Sequence, residues 1–196
     1  MKLGGDTIGA RGKRPPLPGR KRNPRRIEEM IRVDHAGEYG AVTIYKAQAA
    51  VFRPLPHKAA MANQMQRMQD DEQAHLDAFD DLVLNTPARP TALAPLWELG
   101  GTFLGFATAM MGERAAHACT EAVEKVIEGH YASQIAELDA MGETGLAARF
   151  TQFREEEIAH KDFAVSEGAH EAAGYPLLAA LIEGGCRTAI AVSERV

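Results

Sequence analysis

The chain has 196 residues, 45% hydrophobic and 25% charged, which suits one folded domain and excludes a wholly disordered or fibrous polypeptide. A formal charge of −5 argues against a nucleic-acid binder that uses its whole surface. Two cysteines, Cys119 and Cys186, exclude a disulfide-rich scaffold; with no Cys-x-x-Cys they also argue against a thiolate zinc site, while seven histidines leave a histidine and carboxylate metal site open.

Residues 1–26 carry nine basic side chains and one acid, Asp6, a net +8 that puts −13 on residues 27–196. Four prolines, five glycines and almost no apolar side chains leave this segment unable to bury enough surface to fold alone. A disordered tail and a contact with an anionic membrane are both consistent with it. No apolar run follows the basic residues, so a secretory signal is not expected, and a transit peptide matches poorly.

Helical periodicity begins at Asn23-Pro24, a cap residue followed by a proline whose missing N–H costs nothing in the first turn. Ile27, Ile31, Asp34, Glu38, Ala41, Tyr45, Gln48 and Phe52 then recur at steps of three or four, apolar at the ends of the line and polar in its middle. Pro54 and Pro56 end this helix. A second helix is expected over 57–84, with Met61, Met65, Met68, Glu72, His75, Leu76, Phe79 and Leu82 on one face. A third helical region is expected over 91–139, interrupted near Gly112. A fourth is expected over 146–173, with Phe150, Phe153, Glu157 and His160 on one stripe, and a shorter helix to about 191. No alternating β-branched run appears. The expected fold is all-α, a four-helix bundle with an additional C-terminal helix and an apolar crossover segment.

That crossover, residues 91–111, holds a single charge, Glu98, and approaches the length of a membrane span. Pro95, Gly100, Gly101, Gly105 and the central acid disfavour a span. Packing on the bundle, burial in a subunit interface and a surface resting on a membrane remain open readings. The extra helix and the apolar surface suit a small homo-oligomer.

Two Glu-x-x-His motifs stand in the chain, Glu72 with His75 and Glu157 with His160. Residues three apart lie about 60° apart around a helix, so each motif aims a carboxylate and an imidazole at one point. Both motifs fall on inward stripes, as do Glu38 and Glu124. The order Glu then Glu-x-x-His occurs twice, at separations of 34 residues from Glu38 to Glu72 and 33 from Glu124 to Glu157. Four carboxylates and two imidazoles from four helices are the ligand set of a carboxylate-bridged dimetal centre, and these donors suit iron or manganese. Symmetry makes Glu72 and Glu157 the bridges, Glu38 and Glu124 the terminal carboxylates, and His75 and His160 one nitrogen for each metal. Asp34, Asp71 and Glu156 are candidates to accept the outer N–H of the imidazoles.

The segment Arg32-Val33-Asp34-His35-Ala36-Gly37-Glu38-Tyr39-Gly40-Ala41 resembles the signature of the demethoxyubiquinone hydroxylases, the di-iron monooxygenases of ubiquinone synthesis. Ala118-Cys119-Thr120 with Val123-Glu124, Phe153-Arg154-Glu155-Glu156-Glu157 with His160, Gly185-Cys186-Arg187 and Ser193-Glu194-Arg195 extend the resemblance from about residue 26 to the C-terminus. It implies a ferritin-like fold and two iron ions held by Glu38, Glu72, His75, Glu124, Glu157 and His160. It also implies hydroxylation of 2-polyprenyl-3-methyl-6-methoxy-1,4-benzoquinone with dioxygen as cosubstrate and NADH as reductant. Where some members carry paired histidines, this chain has Gly129-His130-Tyr131, and the resemblance places His130 and Tyr131 near substrate or electron entry. It implies peripheral attachment to the cytoplasmic face of a bacterial inner membrane, or alternatively the matrix side of a mitochondrial one. A lipid-binding accessory protein is a further implied partner. The rival readings are a peroxide-handling dimetal protein and a metal-storing or scaffolding bundle.

Overall fold

The computed structural model describes residues 23–196. The expectations for the basic segment up to residue 22 lie outside the described residues.

Six α-helices form, and no strand appears among the described residues: α1 Pro24–Phe52, α2 Ala59–Asn85, α3 Ala94–Met110, α4 Glu113–Met141, α5 Thr144–Ser166 and α6 Tyr175–Ser193. Local chemistry sets the boundaries. The Asn23 side chain accepts the Arg26 backbone N–H, and Pro24 occupies the first turn of α1. Arg25 and Arg26, grouped with the basic segment by charge, therefore belong to α1. The expected interruption at Gly112 separates α3 from α4 and has φ 112°, a conformation that favours glycine. Gly142 closes α4 at φ 78°, and the Glu143 N–H reaches back to the Leu138 carbonyl. The fourth long helix ends earlier than the expected residue 173, because Gly168 turns left-handed at φ 89° and a short 3₁₀ turn, Ala169–Glu171, follows.

Helices α1, α2, α4 and α5 make the bundle. α1 packs on α2 and α4 on α5, while α3 lies against α1 and α6 against α4. The core has two apolar ends. One gathers Ile27, Met30, Ile31, Phe79, Tyr131 and Phe150; the other gathers Tyr45, Phe52, Met61, Met65, Met68 and Ala116. Phe79 of α2 meets Phe150 and Phe153 of α5, which closes the first end across the bundle. Between these ends the inward stripes turn polar, and the buried acids of α1, α2, α4 and α5 meet there.

α3 approaches α1 very closely. A Cβ on Gly101 would stand 3.0 Å from the Gly40 carbonyl oxygen, and one on Gly105 would run into the Ile44 carbonyl. The outward face of α3 carries Leu96, Leu99, Phe103, Phe106 and Met110, all exposed. Leu177 and Leu181 of α6 are exposed as well. By length and composition α6, not the 91–111 segment, is the described helix able to cross a membrane. The apolar surface expected from α3 alone thus extends onto α6.

Candidate metal centre

Glu38, Glu72, Glu124 and Glu157 are buried to 1% exposure or less, too deep for carboxylates without compensation. Their donor atoms form two groups, each within 4.8 Å: Glu38, Glu72, His75 and Glu157 in one, and Glu72, Glu124, Glu157 and His160 in the other. Glu72 and Glu157 belong to both, the arrangement expected of bridging carboxylates.

The imidazoles face inward through Nδ1. His75 Nδ1 lies 3.1 Å from Glu157 and 3.6 Å from Glu38 and Glu72; His160 Nδ1 lies 3.0 Å from Glu72 and 3.5 Å from Glu157. These are ion-pair distances without hydrogen-bond geometry: both Nδ1 atoms, both oxygens of Glu72 and Glu157, and one oxygen each of Glu38 and Glu124 have no hydrogen-bond partner. Converging, buried and unsatisfied donors of this kind fit divalent cations. Burial pushes Glu38 and Glu124 above the ordinary carboxylate range. Burial works to lower His75 and His160, but the surrounding glutamates outweigh it, holding His75 far above its ordinary value and His160 at about 11.

Other side chains orient these donors. Tyr131 of α4 donates to Glu38 Oε1 of α1 at 2.6 Å, and Tyr45 of α1 donates to Glu124 Oε1 of α4. The two pairs are exchanged between helices, and the spacing from Glu38 to Tyr45 equals that from Glu124 to Tyr131. That repeated interval was a legible signal for Tyr45, which sequence reasoning left as a neighbour on the stripe. Glu156 Oε2 lies 2.5 Å from His75 Nε2, and Asp71 Oδ2 lies 3.5 Å from His160 Nε2, the outer positions expected for them. Asp34 instead accepts from Gln134 Nε2 at 3.0 Å and lies 3.3 Å from His130 Nε2. His130 is thus held by Asp34 and Gln134, and Tyr131 by Glu38.

An apolar cavity of about 260 Å³ opens beneath α3 and α6, lined by Ile44, Trp97, Leu104, Val123, Ile182 and Cys186 among others. Gly37, Gly40, Gly100 and Gly185 also line it, with open space where a Cβ would stand. His130 and Tyr131 are not among its lining residues. Its floor residues Gly37, Ala41, Val123 and Ile127 bracket Glu38 and Glu124 in sequence.

A bundle of this topology with a duplicated Glu and Glu-x-x-His constellation defines a ferritin-like carboxylate dimetal protein. The sequence profile of the ubiquinone biosynthesis protein COQ7 matches residues 25–193. The chain is similar to the 3-demethoxyubiquinol 3-hydroxylase of Rhodospirillum rubrum, 44% identical over 182 residues that cover 92% of this chain and 83% of that one. It is also similar to the mitochondrial NADPH-dependent 3-demethoxyubiquinone 3-hydroxylases of Rattus norvegicus (43% over 172 residues, 86% and 77% covered) and Homo sapiens (41% over 173 residues, 87% and 78% covered). The chain belongs to the COQ7 family of demethoxyubiquinone hydroxylases, di-iron monooxygenases that act on a polyprenyl quinone.

The expectation of NADH is corrected by the mitochondrial relatives, which are described as NADPH-dependent. The two nucleotides differ by one ribose phosphate remote from the hydride. This sequence holds no Gly-rich βαβ fingerprint whose ribose contacts would discriminate them.

Proposed function

We propose that this chain hydroxylates the ring of 2-polyprenyl-3-methyl-6-methoxy-1,4-benzoquinone, or its quinol. One oxygen atom of dioxygen enters the ring, the other leaves as water, and NADPH supplies two electrons. The observation that carries the reading is the pair of buried donor groups sharing Glu72 and Glu157. Glu38, Glu72, His75 and Glu157 would hold one iron, and Glu72, Glu124, Glu157 and His160 the other. Two iron ions bound there would supply the electrons that activate dioxygen for insertion into the ring.

The chain's own residues do the positioning. Tyr131 and Tyr45 tie one oxygen each of Glu38 and Glu124, leaving the other oxygen of each carboxylate for metal. The apolar cavity excludes water and receives the isoprenoid end of the substrate. It keeps the ring against the α1 and α4 wall that carries Glu38 and Glu124. The exposed apolar side chains of α3 and α6 rest on the membrane, so that the tail never enters water. This makes the protein peripheral, at the cytoplasmic face of a bacterial inner membrane, a reading supported by similarity to the Rhodospirillum rubrum protein. A lipid-binding accessory protein and a second copy in a small homo-oligomer are the rival occupants of this surface.

The test is anaerobic loading of the full chain with iron(II), then addition of the demethoxy quinone, NADPH and dioxygen with product analysis by mass. One oxygen-18 atom from labelled dioxygen is expected in the ring. Label arriving from water, or no product with two irons bound, would remove the assignment.

A further inference from the structure

Two openings flank the buried carboxylates, and their chemistry differs. The cavity beneath α3 and α6 has no charged residue in its lining. A hydrated divalent ion passing there would lose its water shell to a lining that offers no carboxylate or imidazole, only the Cys186 thiol and the Ser193 hydroxyl as side-chain donors. The second opening is a cleft of about 610 Å³ between α2 and α5, lined by Asp71, Ala74, His75, Gln152, Phe153, Glu156, Ala159 and His160. It shares no residue with the first.

The cleft is graded from solvent to centre. The Asp71 side chain is 62% exposed and Glu156 43%, followed by His160 at 14% and His75 at 5%, with Glu72 and Glu157 at 0% behind them. No lysine or arginine lines it. Glu156 Oε2 is 2.5 Å from His75 Nε2 while its Oε1 accepts from Gln152; Asp71 Oδ2 is 3.5 Å from His160 Nε2. Behind this mouth His75, 4% exposed as a whole residue, keeps an Nδ1 without a hydrogen-bond partner, and so does His160. An acidic mouth without lysine or arginine thus leads over two imidazoles to unsatisfied donors.

We infer that the α2–α5 cleft is the port through which hydrated divalent metal ions load the centre, with Asp71 and Glu156 as its entry carboxylates. The inference rests on the dimetal reading of the site. The two acids attract the ion, replace part of its water shell, and release it inward past the imidazoles as the deeper carboxylates take over. Quinone and metal then use separate openings, and apolar substrate in its cavity does not obstruct reloading.

Asp71→Asn and Glu156→Gln remove the charges but keep an oxygen that accepts the outer imidazole N–H. Cobalt(II) would be mixed with the metal-free full chain in a stopped-flow instrument, reading its visible absorption, with stoichiometry and dissociation rate measured on the same preparations. The double variant is expected to bind two ions per chain with an association rate reduced about tenfold, a scale typical of local charge focusing. Its association should also depend less on salt. Asp81→Asn, an exposed acid on α2 outside the cleft, makes the same charge change as a single port variant and should leave the rate within about twofold. Unchanged association in the double variant would overturn the port, including the case where only dissociation accelerates, since the acids would then merely position the imidazoles. Equal slowing by Asp81→Asn and Asp71→Asn would overturn it as well, reducing the effect to overall charge. Failure of the unmodified chain to bind two ions would instead sink the dimetal reading beneath it.

Discussion

Glu72 and Glu157 each belong to both donor groups, so in the proposed centre removing either carboxylate would strip a ligand from two cations at once. Glu72→Ala and Glu157→Ala are therefore expected to hold fewer than two irons per chain. Turnover should fall beyond the ~100-fold that marks the loss of an outer-shell partner. Metal analysis and product formation on the same samples check this; two irons with normal turnover would contradict the bridging role. The clustering of these donors was legible because the requirement is periodic: four helices must each present a donor at one level, and the intervals 38 to 72 and 124 to 157 repeat. Tyr45 was less legible, since an inward tyrosine on a bundle stripe also reads as core. Only its contact with Glu124 separates the two meanings. His130 shows the opposite case, a residue singled out by motif whose contacts in the fold are Asp34 and Gln134, away from the apolar cavity.

The packing of α3 on α1 depends on two glycines with no side chain to spare. Gly105→Ala would press a Cβ into the Ile44 carbonyl and within 3.0 Å of the Ala47 Cβ, an overpacking expected to cost about 1–3 kcal/mol. Gly100→Ala meets open space and should be neutral or stabilising by up to about 1 kcal/mol, from helix propensity. Urea unfolding of both variants makes the comparison; equal effects would mean that close approach does not constrain α3. At the opposite corner Arg26 of α1 clamps Glu137 of α4 and Glu194 beyond α6 at 2.9 and 3.0 Å. The Arg26 hydrogen bond draws Glu137 below its ordinary carboxylate value. A depressed carboxyl stabilises above its unfolded pKa of about 4.5 and loses that contribution as pH falls through the folded value. Because the Glu137 side chain is 42% exposed, solvent screening limits the gain, and Glu137→Gln should cost about 0.5–1 kcal/mol at pH 7. Unfolding midpoints should converge with the parent as pH falls below about 4.5 and through the depressed folded value; a difference independent of pH would exclude the ion pair as its source. Helix positions were readable from stripes and prolines. The early end of α5 was not, because Gly168 sits in a run whose composition still permits helix and only its left-handed backbone ends it.

At the scale of the whole molecule, buried charge and exposed apolar surface are two separate costs. Metal meets the first. Cations bind the folded donors and not the unfolded chain, so iron(II) at about 100 times its dissociation constant should add ~2.7 kcal/mol of stability. For a chain this long that raises the thermal midpoint by about 5–10 °C. Anaerobic melting with and without iron(II) checks it, and equal midpoints would contradict a site selective for the native state. The lipid contact proposed above would meet the second cost. Phe103 and Phe106 are 71% and 52% exposed on α3, the helix whose Trp97, Gly100 and Leu104 line the apolar cavity. Aromatic rings left in water at such exposure gain by contact with acyl chains or with an isoprenoid tail, and the cavity mouth is where that tail would leave the protein. Phe103→Ser and Phe106→Ser should therefore lower turnover of a long-tailed demethoxy quinone several-fold, and that of a short-tailed one much less. Each serine removes roughly 2 kcal/mol of burial available only when lipid or tail covers the ring. Iron content should stay at two per chain, because neither phenylalanine touches the donor groups. A subunit interface at the same face predicts something else: the serine variants would dissociate, and both quinones would lose turnover equally. Oligomeric mass, iron content and turnover of the two quinones on one preparation separate these outcomes, and equal fractional losses with dissociation would assign the face to a second copy of the chain.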